Sequence, residues 1–389
     1  MCSQKLKQKY VCRQQKNREG AVLVLSAIML FMMLAFLAFT VDTGYLASSK
    51  GEIRRSADAA AIAGCWELFE GLVQGKSQAE CEPDVIAEAA QYASLNAIAN
   101  TSPSLSNQLN SPGVQVGYLP SITSETLSTN SGLPFFAVKV AVQKNAQLNG
   151  EVPYFFGKIF GDNGRAIEAS ATAVMARNIS GFSTPDNCND TLDVLPFALD
   201  LQTWNTISAN TATDAFSYNP NTGLVTPGGD GIREVNLYPQ GTGSPGNRGT
   251  VDIGGANNST ADIARQIVYG ISESDIQALG KDLKFNADGT MNLNGDTGIS
   301  AGVKDELASI IGQPRIIPIF STVSGNGNNA NYTIVKWVGV RILKVTLTGA
   351  LAKKAVIIQP APIISRNAII SNSANSTSDY VYSPVLLAQ

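Results

Sequence analysis

Hydrophobic and polar positions change rhythm several times along the chain. From Ala21 to Val41 the sequence AVLVLSAIMLFMMLAFLAFTV runs 21 residues without a charge. At about 1.5 Å per residue, such a helix covers the roughly 30 Å hydrocarbon core of a bilayer, so the run predicts one transmembrane helix. Its anchoring side chains are Leu23, Leu25, Leu30, Phe31, Leu34, Phe36, Leu37 and Phe39. The following stretch, VDTGYLASSKGEIRRSADAAAIAGCWELFEG, is alanine-rich and free of proline, and Tyr45, Ser48, Ser49, Glu52 and Ile53 recur at helical spacing. The pattern therefore carries the same helix outward for several turns. A second helix is predicted from Pro83 to Ala99, with Pro83 in its first turn and Val85, Ile86, Ala89, Ala90, Ala93 and Ala97 along one side.

The rhythm then shortens. Val114, Val116 and Tyr118 alternate, Ala137 to Val142 follows Pro134, VPYFFGKIFG reads as helix-like, and AIEASATAVMARN from Ala166 reads as a strand. A turn-rich boundary, GFSTPDNCN from Gly181 to Asn189, separates this unit from a β-rich half. Strands are predicted there at Val194 to Leu199, Glu234 to Tyr238, Gly249 to Ile253, Ile316 to Thr322, Tyr332 to Leu347 and Ala355 to Ile358. Helices are predicted near Ala261 to Tyr269 and Ser300 to Ile311. The last two strands form a long hairpin, and the run after Ser371 is expected to be extended or loosely held. The fold class is α+β: a single amino-terminal transmembrane helix extending into a helix-and-sheet unit, then a β-rich α+β domain. The organisation expected is an arm at 1–20, the membrane helix at 21–41, a helical and α+β domain at 42–180, a β-rich domain at 190–370 and a tail at 371–389.

Charge gives this arrangement a direction. The first 20 residues hold Lys5, Lys7, Lys9, Arg13, Lys16 and Arg18 against Glu19 alone, whereas the 12 after Val41 carry only Asp42, Lys50 and Glu52. The asymmetry predicts a cytoplasmic amino terminus, an inner-membrane single pass and an extracytoplasmic carboxy-terminal domain. A cleaved secretory signal competes with an uncleaved anchor, but the apolar run exceeds the usual 7 to 15 residues and no small-x-small site follows it. The chain is otherwise mildly acidic, with a formal net charge of −3 overall, and nothing in it suggests nucleic-acid binding.

Composition narrows the chemistry. Histidine is absent from all 389 residues, which removes Ser-His and Cys-His nucleophile systems and imidazole metal sites. Gly241, Gly243 and Gly246 spell a G-x-G-x-x-G, yet Pro245 interrupts it and a strand pattern follows, so a glycine loop is expected. Asn286, Asp288 and Gly289 resemble part of a calcium loop, but Lys284 and Gly295 occupy the first and twelfth positions; an Asp-Gly turn is expected instead. Asp252, Asp262, Asp282 and Asp296 show no defensible pairing. No catalytic residue, cofactor site, metal site or small-molecule substrate is assigned. Cys2 and Cys12 fall on the cytoplasmic side, and Cys65, Cys81 and Cys188 on the oxidising side. A Cys65–Cys81 bridge would close a loop of about 17 residues and contribute roughly 3 kcal/mol; three unpaired buried thiols remain the alternative, and Cys188 could be free or pair with another chain.

Several residues taken in order carry a resemblance. Arg18, Glu19, Gly20, Ala21 and Val22 before the span, Val41, Asp42, Gly44 and Tyr45 after it, and Arg54, Arg55, Ala57, Asp58, Ala59, Ala60, Ala61 and Ala63 resemble the amino-terminal domain of TadG-like proteins, associated with assembly of Flp-type (Tad) pili. The resemblance covers about residues 18–64. Phe155 to Ala176 also resembles the end of the domain found in this family, and the helix, helix, strand, strand, helix, strand order resembles a pilin-like module. Gly20 before an apolar helix is similar to a type IV prepilin leader, although Leu25 stands where those substrates carry glutamate. Some relatives hold a von Willebrand A-like domain, but its Asp-x-Ser-x-Ser sequence is missing here.

The resemblance implies a non-enzymatic, membrane-anchored component of Flp pilus assembly, working by helix packing and extracytoplasmic protein contacts with pilus machinery or pilin subunits, or with further copies of itself. Arg54, Arg55, Ala57, Asp58 and Ala61 are the candidate partner contacts, against a reading in which the alanines serve helix packing within the chain. An anchored adhesive or ligand-binding protein using residues 190–370 is the alternative, and an anchored hydrolase built on carboxylates or a Ser-Lys pair is a third.

Overall fold

The structure is a computed structural model and describes residues 19–108, 111–185, 190–239, 248–255, 258–325, 327–371 and 376–388. The fold is α+β. Helix α1 runs without a break from Glu19 to Val73, joining the apolar run and the alanine-rich run in one element of 55 residues. It stops at Gly75, whose φ of +82° is the left-handed conformation glycine adopts freely. There the Gly75 N–H donates to Leu72 O and the Lys76 N–H to Gly71 O, the paired bonds of a Schellman ending.

Helix α2 spans Gln78–Leu95, earlier at both ends than the Pro83-to-Ala99 expectation. The start was set by Ser77 and Glu80: the Ser77 N–H donates to the Glu80 carboxylate at 2.7 Å, and the Glu80 N–H to Ser77 Oγ at 3.4 Å. That Ser-x-x-Glu capping box satisfies free first-turn donors reciprocally, leaving Pro83 inside the helix, where it forfeits one helical hydrogen bond.

Two compact units emerge: Met1–Ala59 with Tyr92–Gly113 and Ala141–Ser170, and Ala60–Gln91 with Val114–Val140 and Ala171–Gln389. In the first, a short hairpin pairs Val152 with Arg165 and Pro153 with Gly164. Its tip holds a single 3-10 turn, Gly157–Phe160, in place of the longer helix expected of VPYFFGKIFG. Gly161 ends that turn at a φ of +87°.

Strand Val114–Leu119 pairs antiparallel with residues 135–140, the part of strand Phe135–Lys144 that belongs to the second unit. The four-stranded sheet continues through Ile167–Ala176 to Leu386–Leu387. The larger sheet orders its strands as Val235–Tyr238, Ala355–Pro360, Ala330–Thr346, Met291–Asp296, Gly249–Val251, Phe197–Asp200 and Pro314–Ser324; the last pairs back onto Ala330–Thr346, closing a ring. The expected hairpin of Ala330–Thr346 with Ala355–Pro360 is present. Alternation along the strands divides two cores: Ile316, Phe320, Ile334 and Trp337 belong to one, Ile317, Ile319, Val338 and Val340 to the other. Helices α3 (Leu201–Ser208) and α4 (Thr260–Tyr269) add Trp204, Ile263 and Ile267 to the second core. The Asp-Gly turn is present, with Gly289 at φ +77°, but it joins strands of different sheets rather than forming a hairpin.

Residues 376–388 are extended but firmly held, contrary to a loose tail. Ser378–Asp379 lies parallel to Trp337–Val338, Val381–Tyr382 parallel to Ile363–Ile364, and Leu386–Leu387 antiparallel to Ala173–Val174. Ser378 Oγ accepts the Ile179 N–H at 2.8 Å, and Ser383 Oγ accepts that of Ala176 at 2.9 Å. Asp379 accepts from Trp204 Nε1 at 2.8 Å and from Lys336 Nζ at 2.9 Å.

Candidate functional site

The apolar half of α1 is bare. Leu23, Leu25, Leu30, Phe31, Leu34, Phe36, Leu37 and Phe39 are each 57 to 71% exposed, all around the helix rather than along one stripe. Water does not tolerate so continuous an apolar cylinder. The two hydroxyls in the run turn inward on the backbone, Ser26 Oγ to Leu23 O at 3.0 Å and Thr40 Oγ1 to Phe36 O at 2.7 Å. A hydrocarbon solvent imposes just that internal satisfaction. Among the described residues, this one helix is long and apolar enough to cross a membrane.

The regime changes at Asp42, which is buried. Its carboxylate accepts three successive backbone N–H groups from the hairpin tip: Phe155 at 2.7 Å, Phe156 at 3.2 Å to either oxygen, and Gly157 at 2.8 Å. Such a run of N–H groups makes a small anion cradle. Burial pushes the carboxyl upward, but the three N–H bonds outweigh it and hold it below the ordinary 3.8. Tyr45, one turn further along α1, meets the Phe155 ring edge-on at 5.1 Å. Gly157 permits the tight turn, since a Cβ there would lie 2.9 Å from the Tyr154 ring. Sequence reasoning counted Asp42 as a flanking charge and as one residue of the family resemblance, but gave it no contact; the hint to one was a lone acid directly behind an apolar run.

Beyond Asp42, α1 buries one face. Ile53, Ser56, Ala57, Ala60, Ala61, Cys65 and Leu68 are all buried. Ser56 Oγ donates to Ala93 O at 3.1 Å, and Glu52 accepts the Ala99 N–H at 2.8 Å. An added Cβ on Gly64 would lie 3.1 Å from Val138, 3.3 Å from Val85 and 3.4 Å from Ala89. The candidate contact group is therefore split. Ala57 and Ala61 are fully buried, as small residues that let elements of the chain approach closely, and are withdrawn as partner contacts. Arg54 and Arg55 point to solvent and Asp58 is half-buried. Arg54 also lines a cleft of about 350 Å³ with Lys50, Arg165 and Glu168.

Cys65 and Cys81 are free, buried thiols rather than a disulfide. Helix register explains the separation: Cys81 Sγ packs on Gly71, where a Cβ would collide with it. Gly71 is six residues past Cys65, about 9 Å of helical rise, whereas bridged Cα atoms lie within about 7 Å. Burial pushes the Cys65 thiol up to about 12 and also raises that of Cys81.

Charged groups in the β-rich part act as struts. Arg248 Nε bonds Asp200 at 2.7 Å, and Asp200 also caps α3 through the Thr203 N–H at 2.8 Å. Arg265 bridges Asp262 at 2.7 Å and Asp275 at 2.6 Å, while Asp275 completes a capping box with Ser272. Asp282 accepts a bond from Thr184 Oγ1. Asp252 is raised, first by burial and then by Asp262. Among the described residues no group of three or more Cys, Asp or Glu side chains could hold a metal ion. The basic arm with Cys2 and Cys12, Cys188 and the Gly241, Gly243, Gly246 motif lie outside the described residues.

Comparison with known families divides the amino-terminal part at the Gly75 turn. Residues 20–75 match the family model described as Flp pilus-assembly TadE/G-like, and residues 75–173 match that described as Tad-like Flp pilus-assembly. No curated protein and no solved structure matches the chain.

Proposed function

We propose that this chain, whose residues 20–173 match Flp (Tad) pilus-assembly family models, serves as a single-pass, membrane-anchored, non-enzymatic component of that assembly. The observation that carries the reading is the apolar cylinder from Val22 to Val41, exposed on all sides, at the head of a helix whose continuation is packed into a folded unit. Residues 21–41 form the anchor, with the basic arm on the cytoplasmic side of the inner membrane and the domains after Asp42 outside. Arg54, Arg55 and the half-buried Asp58 offer charged contacts to pilus machinery, pilin subunits or another copy of the chain.

Fractionation of cells carrying an epitope after Gln389 tests this reading. The expected result is full-length protein in the inner membrane that co-purifies with pilus machinery. A form cleaved after Gly20 in sheared filaments would make it a minor pilin instead. Full-length protein with no pilus partner would favour the anchored adhesin.

A further inference from the structure

The hairpin tip held by Asp42 presents four large apolar side chains outward. Phe155 is 59% exposed, Phe156 39%, and Ile159 and Phe160 each 77%. Three of the four are aromatic, and exposed Lys158 lies between Phe156 and Ile159. Their position is what distinguishes them from ordinary surface apolar residues. Asp42 is the first residue after the apolar run, and its carboxylate bonds the tip directly, at 2.7 to 3.2 Å. The tip is therefore level with the end of the apolar cylinder to within about one helical turn of 5.4 Å. Its short strands, Val152–Pro153 and Gly164–Arg165, close the base of the loop, so the tip is a built projection rather than a loose end.

The geometry points to residues 154–161 as an interfacial collar: Phe155, Phe156, Ile159 and Phe160 enter the headgroup and upper acyl region of the leaflet from which α1 emerges. The occupant of this face is the lipid surface, because the tip is bonded to the residue that ends the apolar run and so stands beside the end of the anchor. Phe and aliphatic side chains of interfacial segments bury into the headgroup and acyl boundary by their apolar area, and Tyr is enriched at the same level. Lys158 lays its methylene stem along the same face and carries its ammonium to the phosphates. Tyr45, in edge-on contact with Phe155, completes the belt from the helix side. The collar rests on the anchored reading, and it adds a second contact that fixes the tilt and rotation of α1 where the helix alone could swivel.

The test uses the full chain in vesicles of phosphatidylethanolamine and phosphatidylglycerol whose acyl chains carry bromine either near the carbonyl or at mid-chain. Phe160→Trp reports the collar and Phe31→Trp the anchor, each as a difference from the parent with Trp66, Trp204 and Trp337. For Phe160→Trp the added emission should be blue-shifted and lose about half its intensity to bromine near the carbonyl, and little to mid-chain bromine. Adding Asp42→Ala should release the tip and abolish most of that quenching. Deep quenching of Phe31→Trp with red, unquenched Phe160→Trp emission would overturn the collar and leave the anchor standing. Blue-shifted but unquenched Phe160→Trp emission would mean that protein covers the patch, which also overturns it. If neither tryptophan is quenched, the anchored reading fails and the collar with it.

Discussion

At Asp42 one carboxylate holds together positions 113 to 115 residues apart in sequence. Its replacement should free the tip without unfolding the unit. Asp42→Ala removes every acceptor, whereas Asp42→Asn keeps one oxygen and turns a donor toward the cradle; amide exchange at residues 155–157 should accelerate in both, more in the alanine variant. The acid dependence has a defined sign. Because the carboxyl is held below its ordinary value of 3.8, its contribution is complete above that pH and is lost as the pH falls through the lower, folded value. Exchange protection at the tip should thus be level at neutral pH and collapse only below about 3.8. Cys65 has the opposite character. With its thiol pushed up to about 12 and no exposed surface, it should resist iodoacetamide in the native protein and react once denatured, which alkylation followed by peptide mass spectrometry will read.

Among the elements, α1 was the most legible and its packing the least. An uncharged run followed by alanines announces a long helix, and the alternating pattern of 330–360 announces a hairpin, because both signals are local. The start of α2 was equally local but lay in Ser77 and Glu80 rather than in Pro83. The tip 154–161 was misread because YFFGKIF is apolar at helical spacing, yet its turn is set by the distant Asp42 and by two glycines. Which face of the alanine helix is buried was also undecidable locally, since Ala57 and Ala61 have no polar group to declare a side. Gly64 is the contact to challenge. Gly64→Val would push side-chain atoms into Val138, Val85 and Ala89, and overpacking of this kind costs about 1–3 kcal/mol, to be measured as a lower unfolding midpoint in denaturant.

For the whole molecule, the run after Ser371 decides whether the β-rich unit holds. It contributes three short strands, the buried Val381, and the hydroxyls of Thr377, Ser378 and Ser383 to partners near residues 176–179. Nothing in its own sequence, rich in Ser and Asn, reveals that it is structural, because each partner is contributed by a distant segment of the chain. Truncation after Ser371 should cost on the order of 5 kcal/mol or more, several buried hydrogen-bond and packing losses taken together. Limited proteolysis of the truncated protein should then cut within 190–370 under conditions where the full chain survives. Survival there would mean the tail is dispensable.

The same pairing of Leu386–Leu387 with Ala173–Val174 sets an order of events during synthesis. The strand at 167–176 leaves the ribosome with one edge bare, and the segment that covers it follows more than two hundred residues later. At roughly 5 to 20 residues per second, that edge stays open for about 10 to 40 s. An open edge templates pairing with any neighbouring chain. Until that segment arrives the strand is open to edge pairing, and a stall anywhere in the intervening stretch lengthens the exposure.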